Sequence, residues 1–432
     1  MFKNFRTSFG ELRAFLILWS TQALSGLGSA MTNFALVLWA YQRSGSALVT
    51  SLLAVASYAP YVLLSIFAGA LSDRWDKRRT MLVCDSVAAL CTLTVLILLT
   101  LGRLEVWHLY LLNALNGLMN TVQQPASDVA VSLLAPKAQY QRVGGLRSLS
   151  NSLVTILTPV FAAALYGFLG LRAVIWVDLG SFALAFLALL CLIRIPQPPR
   201  DRERRESVFQ SAAAGLRYLR RNRGILDLIL FLSIINLTAS IFNAALPAML
   251  LSRPGGGERA LALVNTVTGL ASLAGSVLVS LLPAPKSRVK AILNSLLFSM
   301  STENFLLAFG RSTPVWCLAA VLGWLFIPVM NANMDVLLRT KIPLEMQGRV
   351  YSARNTLQFF TIPLGYLLGG LLTDRVFEPF MAAQGPRSLW VLLFGGGKGS
   401  GAAMLFLVIG LFGSLSCLPF RADRHIRRLE EE

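Results

Sequence analysis

Almost the whole chain alternates long apolar runs with short polar breaks. A helix needs about 20 residues to cross about 30 Å of hydrocarbon. Runs of that size fall near 13–40, 47–71, 80–101, 106–127, 146–170, 173–194, 225–250, 260–282, 291–309, 314–337, 352–373 and 400–420. The pattern predicts an all-α polytopic membrane protein with twelve transmembrane helices, and an even number puts both termini on one side. The polar breaks set the orientation, because Lys and Arg are retained on the cytoplasmic side. With the termini inside, the inner segments hold 30 of the 39 Lys and Arg and the outer loops hold 9. Both termini are therefore expected in the cytoplasm. The first run flows into the second without a nearby small-residue cleavage site, so it reads as a retained span and not as a cleavable signal.

Composition narrows the class further. The 432 residues are 55% hydrophobic and 14% charged, with a mean hydropathy of +0.63. Soluble domains carry about 25% charged residues, so this chain has too little polar surface for a soluble protein of its length. The net charge of +18 would suit nucleic acid, but the basic residues sit in short clusters between apolar runs. The partner implied is the anionic inner leaflet, not nucleic acid. Cys84, Cys91, Cys191, Cys317 and Cys417 lie in or beside apolar runs, form no C-x-x-C pair, and read as small buried hydrophobes. His108 and His425 are far apart, so no metal site is visible and no cofactor is expected. GGGKGSG at 395–401 lacks the spacing G-x-x-x-x-G-K-[ST], follows no strand, and reads as a flexible loop before the last span. No Ser/His/Asp set is evident, which argues against an enzyme. Short ends argue against an appended signalling domain, and the absence of an ATPase domain leaves ion or substrate gradients as the energy source.

The chain also repeats itself. At a constant offset of 204, Leu133, Leu134, Lys137, Ser148, Asn151, Leu153 and Pro159 meet Leu337, Leu338, Lys341, Ser352, Asn355, Leu357 and Pro363. A second echo joins NFAL at Asn33 to NAAL at Asn243. Each links one run to the run six places later, so a six-plus-six duplication is expected, with a site between pseudo-symmetric halves. The halves are read as 1–194 and 225–432, joined by a cytoplasmic linker at 195–224. That linker opens with the proline-broken IPQPPRDRERRE and continues as an amphipathic helix, with Phe209, Leu216 and Leu219 among Arg217, Arg220, Arg221 and Arg223. Such a helix suits the anionic inner membrane surface.

Between the second and third runs stands a knot of charge, GALSDRWDKRR. It resembles the helix 2–3 signature of the major facilitator superfamily, G-x-L-x-D-R-x-G-R-[KR]-[KR]. Gly69, Leu71, Asp73, Arg74, Lys77, Arg78 and Arg79 fit it, and Asp76 stands where many members have glycine. GLRYLRRNRGIL, LLAPKAQYQRVGGLRSLSNSL and QGRVYS resemble the branch that holds macrolide-efflux and siderophore-export permeases. The resemblance covers nearly the whole chain. It implies two six-helix bundles and a gate, in which the Asp at the end of helix 2 meets a helix N-terminus and basic residues of the other half. Arg354 is the expected cross-half neighbour. Gly69 permits close helix approach, and a carboxylate favours a positive helix end. The alternative is that Arg74 to Arg79 only fix topology. Two further signatures are degraded. The helix 4 pattern R-x-x-Q-G is met by Asn113, Ala114, Leu115, Asn116 and Gly117, without the arginine. The helix 5 pattern G-P-x-x-G-G is met by Thr158, Pro159, Val160, Phe161, Ala162 and Ala163, with the proline alone kept. Both departures weaken the argument for proton-driven export.

Polar groups in hydrocarbon cost several kcal/mol unless satisfied, so they face protein or a wet cavity. Asn113, Asn116, Asn120 and Gln124 stand at helical spacing and make one face. Gln22 and Asn33 in the first run, and Asn236 and Asn243 in the seventh, complete the amide set. In the family, helices 1, 4, 7 and 10 line the central cavity. The resemblance thus implies an amide-rich cavity, with Trp324 nearby, for a large amphipathic small molecule. The alternative for any single amide is an inter-helix hydrogen bond worth about 0.6–2 kcal/mol. Glu303, inside NSLLFSMSTENFLLAF, is the sharpest candidate for proton coupling, with Asp85 the second. Asp85 and Asp227 lie near inner helix ends, where loop arginines are their expected partners. The resulting expectation is a monomeric secondary transporter of a bacterial plasma membrane, exporting amphipathic drugs such as macrolides against protons by alternating access. Uptake, or export of one metabolite or siderophore, is the alternative.

Overall fold

The computed structural model describes residues 13–134, 140–196, 208–281, 283 and 285–430. The side chains of 65–74, 132, 140–142, 144, 145, 148, 208–212, 280, 339, 344–349 and 352 lie outside the described set. The described residues form helices and no strand. The first are α1 (Arg13–Ser44), α2 (Ala47–Arg74), α3 (Lys77–Thr100), α4 (Val106–Leu134), α5 (Tyr140–Leu169) and α6 (Leu171–Cys191). The amphipathic linker helix is α7 (Val208–Arg221). Then come α8 (Arg223–Ser252), α9 (Glu258–Leu281), α10 (Arg288–Phe309), α11 (Thr313–Trp324), α12 (Ile327–Lys341), α13 (Leu344–Phe359) and α14 (Thr361–Leu371). A π-helical turn (Leu372–Phe377) leads into α15 (Glu378–Ala382), followed by α16 (Leu389–Phe394), α17 (Ser400–Ala422) and α18 (Arg424–Arg428).

Among the described residues, eleven helical stretches are long and apolar enough to cross a membrane. The one remaining expected run, the fourth, is also a helix, α4, but Asn113, Asn116, Asn120, Gln123, Gln124 and Asp128 dilute its apolar character. Leu63, Leu111, Trp176 and Leu187 are each more than half exposed. In water such surface would drive association; against lipid it is the expected exterior, since helices satisfy their own backbone polar groups there.

Two runs are broken for local reasons. The tenth splits between α11 and α12 around Leu325 and Phe326, just before Pro328, which lacks a backbone N–H. The eleventh splits at Phe360, between α13 and α14, ahead of Pro363. Its repeat partner Pro159 lies inside the unbroken α5.

The chain forms two compact units. One comprises Met1–Trp39 with Ala56–Glu206; the other comprises Ala40–Val55 with Ser207–Glu432. The outer end of α1 and the start of α2 thus pack with the second unit. In the first unit Leu18, Met81, Ala126, Ala130, Leu189 and Ile193 form a buried cluster. In the second unit α8 and α14 meet through small residues. A Cβ on Gly365 would lie 2.5 Å from Ser240 Cβ, and one on Gly369 would lie 2.7 Å from Ala244 Cβ. Without a hydrophobic drive between helices in lipid, close van der Waals contact of this kind is what holds them. The linker helix differs from expectation. Leu219 is fully buried in the second unit's core beside Ile342 and Val350, and the Tyr218 hydroxyl donates to Lys341 O at 3.2 Å. Arg217, Arg220 and Arg221 stay exposed on the opposite side. Protein therefore covers apolar surface that the sequence assigned to the membrane.

Candidate functional site

The charge knot is built on the junction of α2 and α3. Asp76 is the N-cap of α3, and its Oδ1 accepts from Arg79 N at 2.8 Å. A carboxylate suits this position because it meets an orphan N–H at the positive end of a helix. This explains locally why Asp76 stands in place of glycine. Lys77 is buried and donates to Trp75 O at 3.1 Å. Arg78 Nε donates to Leu189 O at 3.1 Å, and its Nη2 to Leu190 O. Those are the last-turn carbonyls of α6, which lack intrahelical partners and attract cations. Arg79 is exposed. The side chains of Gly69, Leu71, Asp73 and Arg74 lie outside the described residues. Arg354 bonds within its own helix α13, Nε to Gln358 Oε1 at 2.9 Å.

Inside the first unit, α1, α3, α4 and α6 enclose a polar cavity of about 210 Å³. Gln22, Asn33, Asn113, Asn116 and Asn120 all line it. Asp85 lines it as well. Its carboxylate accepts from Gln123 Nε2 at 2.6 Å and Gln22 Nε2 at 3.3 Å. The expected arginine partner of Asp85 is replaced by these two amides, because its position on α3 turns it toward α1 and α4. Gln124 is exposed and turned toward Asp128, which in turn pairs with Arg147 at 2.6 Å. From Asn116 and Asn120, the next residue on the same face is Gln123, three positions on. A buried acceptor, Asn116 Oδ1, has no protein hydrogen-bond partner.

Sequence reasoning missed the second acid of this cavity. Asp178 on α6 is 4% exposed and accepts from Ser29 Oγ at 2.9 Å. The clue in the sequence was Ser25, Ser29 and Thr32 on one face of α1.

The other expected cavity residues belong to the second unit. Asn236 Nδ2 donates to Gln358 O at 3.1 Å, an inter-helix hydrogen bond, while Asn243 is exposed. Trp324 and Glu303, which the sequence placed in different roles, are partners: the indole Nε1 donates to Glu303 Oε1 at 3.1 Å. Glu303 is 6% exposed, and Gly323 packs directly against its carboxylate. At the inner end of α8, Asp227 meets His425 Nδ1 at 3.3 Å, with Asp423 at 3.6 Å. The fold thus gathers three ligand-type side chains that sequence spacing did not connect. Asp423 is already engaged there, capping α18 through His425 N at 2.7 Å.

The glycine-rich segment 395–401 is held rather than loose. Gly395, Gly397 and Gly399 adopt positive φ, and the Gly399 and Ala402 amides donate to Glu378 Oε1 at 3.0 and 3.1 Å. An internal carboxylate therefore occupies the anion position at the start of α17. Nearby, Arg253 is buried and donates to Gly310 O at 2.7 Å and to Phe394 O. Burial, then Arg311, lowers its pKa to about 10, and the charge of Glu378 acts the other way.

Comparison with known proteins follows this geometry. The model of the Major Facilitator Superfamily matches residues 18–366. Macrolide efflux protein A of Streptococcus pyogenes is 25% identical over 366 residues, covering 84% of this chain and 90% of that protein. Multidrug efflux pump Tap of Mycobacterium tuberculosis is 26% identical over 374 residues, covering 84% and 87%. Among solved structures, a mutant of nucleoside transporter NupG superposes with a TM-score of 0.73 at 12% identity, covering 94% of this chain and 98% of that one. A bacterial homologue of the iron transporter ferroportin gives 0.69 at 15% identity, covering 95% and 99%. At those identities the structures speak to the fold alone.

Proposed function

Since this chain belongs to the Major Facilitator Superfamily, we propose that it exports amphipathic compounds of the macrolide kind in exchange for protons, by alternating access. The observation that carries the reading is the match, over 84% of this chain, to two efflux proteins, macrolide efflux protein A and Tap. A multi-pass membrane protein of a transporter family follows from the match and the apolar helices. The inner location of both termini rests on the Lys and Arg asymmetry.

The polar cavity supports the proton part of the reading. Drug-sized ligands occupy clefts of about 300–1,000 Å³, and this cavity holds about 210 Å³. It is too small for a macrolide and better suited to a proton on a carboxylate. Asp85 sits there between two neutral amide donors. A carboxylate with neutral partners changes the local charge by a full unit when it takes up a proton, and that change biases a two-state element. We therefore assign coupling to Asp85, with Asp178 as the second acid, in preference to Glu303. The amide face of α4 serves this pocket, and the drug binds elsewhere. Asp73 and Arg354 remain the proposed inner gate.

The test uses purified protein in proteoliposomes with labelled macrolides, hydrophobic cations and siderophores. Uptake into vesicles of inverted orientation, for macrolides above the other two classes, is expected. Movement of a siderophore alone would favour the specific-exporter alternative, and movement of none would overturn the export reading.

A further inference from the structure

The hexapeptide at the end of α2, Gly69-Ala70-Leu71-Ser72-Asp73-Arg74, has a second copy. Gly370-Leu371-Leu372-Thr373-Asp374-Arg375 repeats the pattern G-x-L-[ST]-D-R where α14 passes into the π-helical turn. The offset is not that of the six-plus-six duplication, so this copy is not the expected partner of the first. It lies on the outer side by the orientation argued above.

The structure shows what the second copy does. Asp374 Oδ1 accepts from Ala47 N at 3.1 Å, and Oδ2 accepts from Leu48 N at 2.8 Å and from the Ser46 hydroxyl. Ser46 Oγ in turn accepts from Val49 N at 3.2 Å. The first three orphan amides of α2 are thereby satisfied, two of them by a carboxylate from another segment. Charge-assisted hydrogen bonds at the positive end of a helix are among the stronger single contacts available there. Gly370 makes the approach possible: a Cβ on it would lie 2.6 Å from Leu48 Cα and 2.9 Å from Ser51 Oγ. The outer end of α1 is tied by polar contacts too. The Tyr41 hydroxyl lies 2.6 Å from Ser252 Oγ and donates to Ala248 O at 3.1 Å. These contacts seat Ala40–Val55, chain-continuous with the first unit, in the second. They surround a small buried cluster of Tyr41, Ala47 and Ala248. Wide π-helical turns inside α-helices are frequent at functional positions, and here the turn contains Asp374.

We propose that Asp374, with Ser46 and Gly370, is an outer latch. It holds the start of α2 against the end of α14 and must release for the outer side to open. The latch is the counterpart, on the opposite side, of the gate proposed for Asp73, and it rests on the alternating-access reading. Closed, it favours the state in which the outer ends are joined. Removing the charge shifts the equilibrium toward outer opening by the free energy of the lost cap.

The experiment reads accessibility from outside, independently of any substrate. Ser51 is 2% exposed behind the latch. Ser51→Cys is introduced in full-length protein in cells, in a background where the native cysteines are replaced, and labelled with a membrane-impermeant maleimide. Asp374→Asn is expected to raise the labelling rate about tenfold, the population shift that loss of one charge-assisted cap supplies. Gly370→Ala, which wedges the same contact without touching charge, is expected to raise it as well. Ser46→Ala, which removes one donor, gives a smaller rise and serves as the readout if Asp374→Asn does not reach the membrane. Glu378→Gln, which removes the charge at the start of α17 beside the latch, is expected to leave the rate unchanged. An unchanged rate in Asp374→Asn or, if that variant is absent from the membrane, in Ser46→Ala overturns the latch. So does an equal rise in Glu378→Gln, which marks general loosening. Raised labelling in protein that moves none of the tested compounds leaves the latch standing and removes only the substrate assignment.

Discussion

Buried carboxylates in this protein differ by what meets them. Asp85 meets two amides inside a polar cavity. Glu303 meets an indole N–H and a glycine in a tight site. The first environment opens on a polar cavity, and the second is closed by packing. Asp85→Asn should therefore abolish the response of transport to a pH gradient, while Asp85→Glu restores part of it. Glu303→Gln should keep the gradient response, because a glutamine carbonyl still accepts from Trp324. Its effect on thermal stability should stay within the ~1 kcal/mol of one neutral hydrogen bond. Gradient-driven uptake and a thermal melt of each variant decide this. From sequence, Glu303 looked the sharper candidate because it stands alone in an apolar run. A run of residues shows how isolated an acid is along the chain but not which helix faces it. The same limit hid Asp178, whose partners are on α1, and made Gln124 rather than Gln123 complete the amide face. Arg253 was legible only as an outer charge, whereas the fold uses it to bind the Gly310 and Phe394 carbonyls. Arg253→Met should cost about 2–4 kcal/mol, because it leaves both carbonyls without their charged donor. A thermal shift below ~0.5 kcal/mol equivalent would assign those carbonyls other partners.

Helices were the most legible level. Length and hydropathy located all twelve runs, and the breaks at Pro328 and before Pro363 follow from missing backbone donors. The degraded helix 4 signature shows what a motif keeps when its chemistry goes. Its glycine, Gly117, remains because a Cβ there would fall on the Ser57 carbonyl oxygen of α2. Gly117→Ala should destabilise by about 1–3 kcal/mol, since the obstacle is backbone and cannot swing aside. A melting temperature equal to the parent's would show that α2 and α4 can separate at no cost. The period of the linker helix is legible in the sequence, and the protein cover over Leu219 is not. An amphipathic helix reports that one face needs cover, and the cover here includes the second unit's core around Leu219. Leu219→Ala should cost about 2–5 kcal/mol as a core truncation, where a lipid-facing leucine would cost much less; urea or thermal unfolding in detergent separates the two.

For the whole molecule, membrane class and family were carried by composition and by the knot at 69–79. The seat of Ala40–Val55 in the second unit was not, because it depends on contacts between segments more than 300 residues apart, such as Ser46 with Asp374. In the proposed mechanism, proton entry through Asp85 drives export. The direct measurement is macrolide accumulation in everted vesicles whose lumen is made acid, for the parent protein and Asp85→Asn at equal amounts. The expected result is accumulation by the parent that collapses when the gradient is dissipated, and only gradient-independent equilibration by Asp85→Asn. Accumulation by Asp85→Asn that still follows the gradient would contradict it.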